Sequence, residues 1–337
     1  MRIDAHAHLM PPAALDAPPV GLRPWATAVP DEAGVTVDGR AWRGRGAAAA
    51  LRSLEAQRAF QTEHAIDLSV LAPWVDMVKG PREPALQARW CAVINGALGA
   101  AVAGAPEFAW LAALPDLDGG AAAAALEEAV AAGAVGAMLA ATSDAGTLAR
   151  PALDPLWAAA ERLGAPLFVH PGEYEPAPQL RAGFMVNLVG NPADTTLAAA
   201  TLLQADVPSR FPSLQVILAH GGGFLPWQAH RIATGFARRA ELEGVSRLAP
   251  EDFLRWFLYD TVLFDADACA RLIDRVGDDR VLAGTDAPFL MRDAIPFAAP
   301  ESLGLGAEAL ARVLGGNAVR VFGLHDRQRS HCTTDLD

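Results

Sequence analysis

Cysteine, tyrosine and lysine are almost missing from this 337-residue chain, which has three, two and one of them, the single lysine being Lys79. Three scattered cysteines (Cys91, Cys269 and Cys332) cannot build a disulfide framework. Cys91 and Cys269 fall in helical patterns and read as small core residues, so the expected compartment is the cytoplasm. Positive charge is also short: 27 Lys and Arg face 39 Asp and Glu, for a net charge of −12. That balance argues against a phosphate-tracking surface and removes nucleic acid from the expected partners. Met1 is not followed by a basic region and an apolar stretch, so no signal-peptide pattern is expected. Long uninterrupted apolar runs are lacking too. The alanine-rich stretches 96–114 and 121–141 are broken by Pro106, Glu107, Glu127, Glu128 and several glycines, which excludes them as membrane spans. Gly221-Gly222-Gly223 has no G-x-G-x-x-G pattern or P-loop lysine beside it, so no nucleotide-phosphate cradle is read there.

What is present is a long alternation of apolar strand patterns and helical patterns. Strands are expected at residues 2–8, 66–72, 108–114, 135–140, 166–170, 214–220, 258–264 and 280–286. Helices are expected between most of them, at 86–103, 121–132, 155–163, 193–205, 226–241, 266–276 and 307–314. Strands separated by helices of this length build βαβ units around a parallel sheet. Eight such units predict a closed (β/α)8 TIM barrel, with a doubly wound open sheet as the alternative. Apolar residues make up 52% of the chain, enough for one large core, and no linker interrupts the alternation. The expected organisation is one domain over 1–324, a long irregular insertion at 11–46 after the first strand, and a polar tail at 325–337. In a barrel that insertion covers the active-site mouth.

Five residues stand at or just past the ends of these apolar runs: His6, His8, His170, His220 and Asp286. In a barrel the C-terminal strand ends converge on one face, where three or four imidazoles and a carboxylate make a metal site. His6 and His8 are two apart, so both point to the same side of a strand, with Asp4 on that side as well. Pro171-Gly172 stops the strand just past His170, and three glycines follow His220. Asp286 closes an apolar strand, where an unpaired carboxylate is costly to bury and needs a cation or a donor. The ordinary reading of any one strand-end histidine is a satisfied polar residue; five together point to a metal. His64 and His230 read as helix-surface groups, and His325 and His331 belong to the tail region. The fourth strand pattern, VGAMLAA, offers no Lys or Glu to bridge two ions, so a single ion is expected. His and carboxylate donors suit Zn²⁺ first, with Mn²⁺, Fe²⁺ and Co²⁺ as the other candidates.

The segments DAHAHL, VHPG, LAHGGG, GTDAPF and the closing VLGGNAVRVFG resemble the amidohydrolase-related (type 2) family, nearest to its α-amino-β-carboxymuconate-ε-semialdehyde decarboxylase group. The resemblance runs from the first strand to about Leu324. It implies that His6, His8, His170 and Asp286 bind the metal together with a water, and that His220 is the acid/base acting on that water. It implies further that Arg43, in DGRAWR, holds a substrate carboxylate. Arg231, eleven residues beyond His220, would reach the neighbouring subunit's site in a homodimer. Where the decarboxylase pattern has aromatic residues after its His-Pro and in the following helix, this chain has Gly172 and Asn187. Glu173 is introduced near the mouth, and Trp42 and Trp74 are candidates for pocket lining.

The expected activity is metal-dependent, non-oxidative decarboxylation of a small unsaturated or aromatic carboxylic acid. Hydrolysis of an amide, lactone or C–C bond, or hydration, would use the same ligands and is the alternative. A catalytically inactive barrel serving as a binding module is the reading from another class, and retention of all five site residues argues against it.

Overall fold

A computed structural model describes residues 1–10, 12–16, 26–29, 34–37, 40–42, 48–78, 83–143, 145–172, 178–181, 183–242, 248–293 and 295–325. Eight parallel strand positions follow one another in chain order. They are β1 (Ile3–His8), β2 (Leu68–Ala72), β3 (Phe108–Trp110 and Ala112–Ala113), β4 (Ala137–Ala140), β5 (Leu167–His170), β6 (Val216–Leu218), β7 (Phe257–Asp260) and β8 (Val281–Leu282). Each strand pairs in parallel with the next. The two halves of β3 sit in different ladders, and Leu111 N bridges the break by donating to Leu71 O at 3.0 Å. The ring closes between β8 and β1: Ala5 N donates to Ala283 O, Asp286 N to His6 O, and His8 N to Ala287 O, at 2.7–2.8 Å. The architecture is a (β/α)8 barrel.

Helices cover the outside. The main ones are α1 (Leu54–His64), α2 (Pro84–Val102), α3 (Gly119–Ala131), α4 (Asp154–Leu163), α5 (Asn191–Gln204), α6 (Leu225–Arg238) and α7 (Ala266–Val276). Local sequence starts several of them. Ser53, Glu83, Asp118 and Asp265 each place a side-chain oxygen on the free N–H groups of the first turn. The helix α1 is not among the expected ones, because Leu54–His64 is mostly polar and the side chains it buries, Gln57 and Gln61, are polar too. The barrel strands are buried on both sides, which is why they read as near-continuous apolar runs.

Two expectations need correction. The last three strands are shorter than their apolar patterns: β6 stops at Leu218, β7 at Asp260 and β8 at Leu282. His220 and Asp286 therefore lie beyond their strands, with φ of 55° and 62°, a left-handed conformation that ends strand geometry. The insertion is also not irregular throughout. It contains a short helix, Pro12–Asp16, and an antiparallel sheet of Ala26–Val29, Gly34–Val37 and Arg40–Trp42. Its Val and Thr residues favour strands, and Asp38-Gly39 is a pair that favours a tight hairpin.

Gly284, just after β8, lets that strand approach the interior of β1. A Cβ there would lie 2.8 Å from His6 Cβ and 3.4 Å from Asp260 Cβ. Gly284→Ala is expected to destabilise the fold by about 1–3 kcal/mol through overpacking, seen as a lower thermal midpoint. An unchanged midpoint would show that the barrel does not close this tightly.

Candidate metal centre

β1 carries Asp4, His6 and His8 on alternate positions, so all three point into the barrel. β5 brings His170 at its end, the turn after β6 brings His220, and the turn after β8 brings Asp286. The four imidazole rings sit together, with centroid separations of 4.9–5.3 Å between His6 and His8, His6 and His170, His6 and His220, His8 and His170, and His170 and His220. One donor atom from each of His6, His170, His220 and Asp286 falls within 4.8 Å of the others. His8 joins the same point, its Nε2 lying 3.1 Å from His6 Nε2 and 3.1 Å from Asp286 Oδ1. The structure thus brings all five sequence-predicted residues together.

The hydrogen bonds show which way the rings face. His6 Nδ1 donates to Asp260 Oδ2 at 2.6 Å, His170 Nδ1 to Pro171 O at 2.8 Å, and His8 Nδ1, at 3.4 Å, to Pro73 O. With the proton fixed on Nδ1 by an oxygen acceptor, each ring turns a bare Nε2 lone pair toward the cluster. His170 Nε2, His220 Nδ1 and Asp286 Oδ1 are buried with no hydrogen-bond partner among the described residues. A buried polar atom left unpaired costs about 1–3 kcal/mol, and several in one place need a common partner. Nitrogen lone pairs and a carboxylate oxygen converging on one point are the donor set of a divalent metal ion.

Electrostatics agree. Burial pushes His170 well below the usual imidazole range, helped by His8, His6 and His220 beside it. Burial likewise lowers His8. Both stay neutral, as ligands must. For Asp286, burial acts upward, but His6 and the contacts with His220 and His8 outweigh it and hold the carboxyl well below its ordinary value. Burial lowers His6, yet Asp286 first and Asp260 next raise it overall; the field that favours a proton there favours a cation beside it. Asp4, beneath the cluster, is pushed up to about 7 by burial despite accepting from Thr285 Oγ1 at 2.6 Å and Thr285 N at 3.0 Å.

Asp260 was not picked out by the sequence. At the end of β7 it binds His6 and also accepts from His220 N and Gly221 N at 2.9 Å and from Val262 N at 3.1 Å. One carboxylate therefore fixes both the tautomer of His6 and the left-handed turn that carries His220. A charged residue ending the apolar run WFLY was the available signal. Asp194, buried on α5, was missed as well. It accepts from Thr142 Oγ1 at 2.8 Å and from Gly172 N at 3.2 Å, tying the loops after β4 and β5 beside His170.

The remaining predicted residues are more dispersed. Trp74 is buried 6.5 Å (ring to ring) from Phe289, whose own ring lies 5.1 Å from His8, so the two make an apolar wall at the mouth. Asn187 is half-buried in the π-turn Val186–Gly190. Arg231 is exposed on α6. Arg43 and Glu173 lie outside the described residues. Trp42 is described only as the end of the strand Arg40–Trp42. No helix among the described residues is long and apolar enough to cross a membrane.

Comparison with known proteins adds three findings. The model of the amidohydrolase family matches residues 3–324. A curated relative, the 2-amino-3-carboxymuconate-6-semialdehyde decarboxylase of Dictyostelium discoideum, is 35% identical over 176 residues, 52% of this chain and 49% of that protein. The chain spans about half the length, or less, of the curated relatives it matches. Among solved structures, the IDCase of Metarhizium anisopliae in its apo form superposes with a TM-score of 0.80 at 22% identity, over 97% of this chain and 98% of that one. The dihydroxybenzoic acid decarboxylase of Polaromonas sp. JS666, with manganese and 2-nitroresorcinol bound, gives 0.76 at 24%, over 96% and 97%. At these identities the structures show the shared fold.

Asp260→Asn keeps the shape of the side chain but removes the charge that orients His6. Its expected effect is a 10–100-fold loss of metal affinity, the usual order for such an outer carboxylate, with the fold retained. Metal competition against a chelator measures it, and wild-type affinity in the variant would contradict this role.

Proposed function

The chain belongs to the amidohydrolase family, and from that premise we propose that it is a metal-dependent carboxy-lyase releasing CO₂, without an oxidant, from a small unsaturated or aromatic carboxylic acid. The observation that carries the proposal is the ring of bare imidazole nitrogens around Asp286 at the barrel mouth. Decarboxylases among the relatives and structural neighbours support the reaction class. In this reading His6, His8, His170 and Asp286 hold one ion, Zn²⁺ first, with Mn²⁺, Fe²⁺ or Co²⁺ as alternatives. A bound divalent ion supplies Lewis acidity toward a substrate oxygen.

The chain's own residues do the rest. His220 is the acid/base: its side chain is 15% exposed while those of His6 and His8 are fully buried, so it is the imidazole that faces the mouth. As the bond to the carboxylate carbon breaks, its electron pair stays on the substrate carbon, and His220 supplies the proton that carbon takes up. Asp286, 3.3 Å from His220 Nε2, steadies the ring in its charged form. Trp74 and Phe289 shield one side from water, with Trp42, Glu173 and Asn187 as further pocket residues. Arg43 would grip a carboxylate through paired hydrogen bonds, which a guanidinium forms better than an ammonium.

Arg231 would do the same for the neighbouring site in a homodimer. Two features support that arrangement. Arg231 is exposed on α6, and Phe184, Leu188, Val189 and Phe224, all exposed, stand just before α5 and α6, the kind of apolar surface a second copy covers. Free, buried Cys91 and Cys269 suit a reducing compartment, the cytoplasm.

The test is a panel of unsaturated and aromatic carboxylates with CO₂ measured directly. Metal-dependent CO₂ release is expected, and His220→Ala should lose about 10²–10⁴-fold of it while keeping its metal. Turnover without CO₂ would replace this reading with hydrolysis or hydration on the same site. Metal content without any turnover would favour a binding module.

A further inference from the structure

At the opposite end of the barrel, below β6, β7 and β8, lies a pocket of 440 Å³ lined in part by Ser213, Gln215, Arg255, Trp256, Arg280 and Arg320. That volume is within the range of about 300–1,000 Å³ common for small-molecule sites. Three guanidinium groups in one pocket are unexpected in a chain of net charge −12. They are not equally satisfied. Arg255 grips Asp279 with both terminal nitrogens, at 3.1 and 3.0 Å, and also donates to Val276 O. Arg320 donates to Asp279 O at 2.7 Å and to Asn317 Oδ1 at 3.3 Å. Arg280 has only a 3.3 Å approach of its Nε to the Asp279 carboxylate already held by Arg255. Its Nε is buried without a hydrogen bond, and its terminal nitrogens have no partner among the described residues.

Arg280 thus lies beside two other cations with its side chain 32% exposed and its fork unpaired by the described residues. Burial first, and then Arg255 and Arg320 despite Asp279, hold it below the ordinary arginine value. Asp252 also lines the pocket, so the surplus positive charge is local and modest. An oxyanion placed there would pair with the free fork of Arg280, draw on Arg320, and meet the hydroxyl of Ser213 and the amide of Gln215. The indole of Trp256 would flank any carbon body attached to it.

We propose that this pocket binds a small phosphate-bearing molecule, with Arg280 as its principal anchor. It is separate from the metal centre, which lies at the other ends of the same strands, and it does not depend on the decarboxylase reading. The probe is inorganic phosphate, added at constant ionic strength to the metal-loaded protein, with the thermal midpoint and the heat of binding followed. A concentration-dependent rise of the midpoint is expected with phosphate and not with chloride. Arg280→Met should weaken phosphate at least about tenfold with metal content unchanged, and Arg280→Lys should recover only part of it, because a point charge cannot replace the fork. Arg320→Gln, at an exposed position, should weaken binding by a smaller factor and serves if the Arg280 variants fold poorly. An equal phosphate response in wild type and Arg280→Met would place the anion elsewhere, the metal centre included, and overturn the proposal. So would no response in the wild type, or a response to malonate alone, which would make the ligand a dicarboxylate.

Discussion

The buried contact between His6 and Asp260 is the constraint on which the rest of the site depends. Both side chains are wholly inside the barrel, 2.6 Å apart. An isolated carboxylate in that position would be strongly unfavourable. It is tolerated because it accepts four hydrogen bonds: one from the His6 ring and three from the backbone at His220, Gly221 and Val262. Those bonds outweigh the upward push of burial and keep Asp260 ionised. Everything at the mouth follows from that carboxylate. It orients His6 with Nε2 bare, and it holds the turn that carries His220. His6 in turn receives the backbone N–H of Asp286 on its carbonyl, so the last strand is aligned by the first.

The site is held together at some cost. His220 and Asp286 both adopt left-handed backbone conformations that side chains other than glycine rarely take, an arrangement worth of order 1–3 kcal/mol of strain per residue. The three glycines after His220 also have positive φ, and a Cβ at Gly223 would collide with the carbonyl of Pro192. Strain and unpaired polar atoms in one small region are what a site prepared for a cation should show. An apolar barrel interior would be more stable and would do nothing. The pattern fits a protein in which stability is given up locally so that several donors can converge without rearranging.

Much of this was legible in the chain because apolar barrel strands end abruptly in polar residues. His6, His8 and His170 are strand residues, and their side-chain directions follow from a period of two. His220 and Asp286 were legible as neighbours of the cluster but not in their conformation; the apolar pattern continues past the point where the hydrogen-bonded ladder stops. Asp260 escaped notice for the same reason. Thr261-Val262-Leu263-Phe264 extends the apolar run, so the strand was expected to end four residues later than it does. Asp194 is hidden in a helical pattern, and its role depends on loops that come together only in three dimensions. The insertion reads as irregular because its prolines and glycines outweigh its short strands in composition. The cluster of Arg255, Arg280 and Arg320 could not be read at all, since three distant segments supply it.

Anomalous diffraction at the metal edge, from crystals of the protein loaded with a divalent ion, would locate the ion among these side chains. One peak per chain is expected, within bonding distance of Nε2 of His6, His8 and His170 and of a carboxylate oxygen of Asp286. Two peaks in the barrel would contradict the single-ion reading. No peak among these residues, in a protein that folds and crystallises normally, would mean that the bare imidazoles have some other partner.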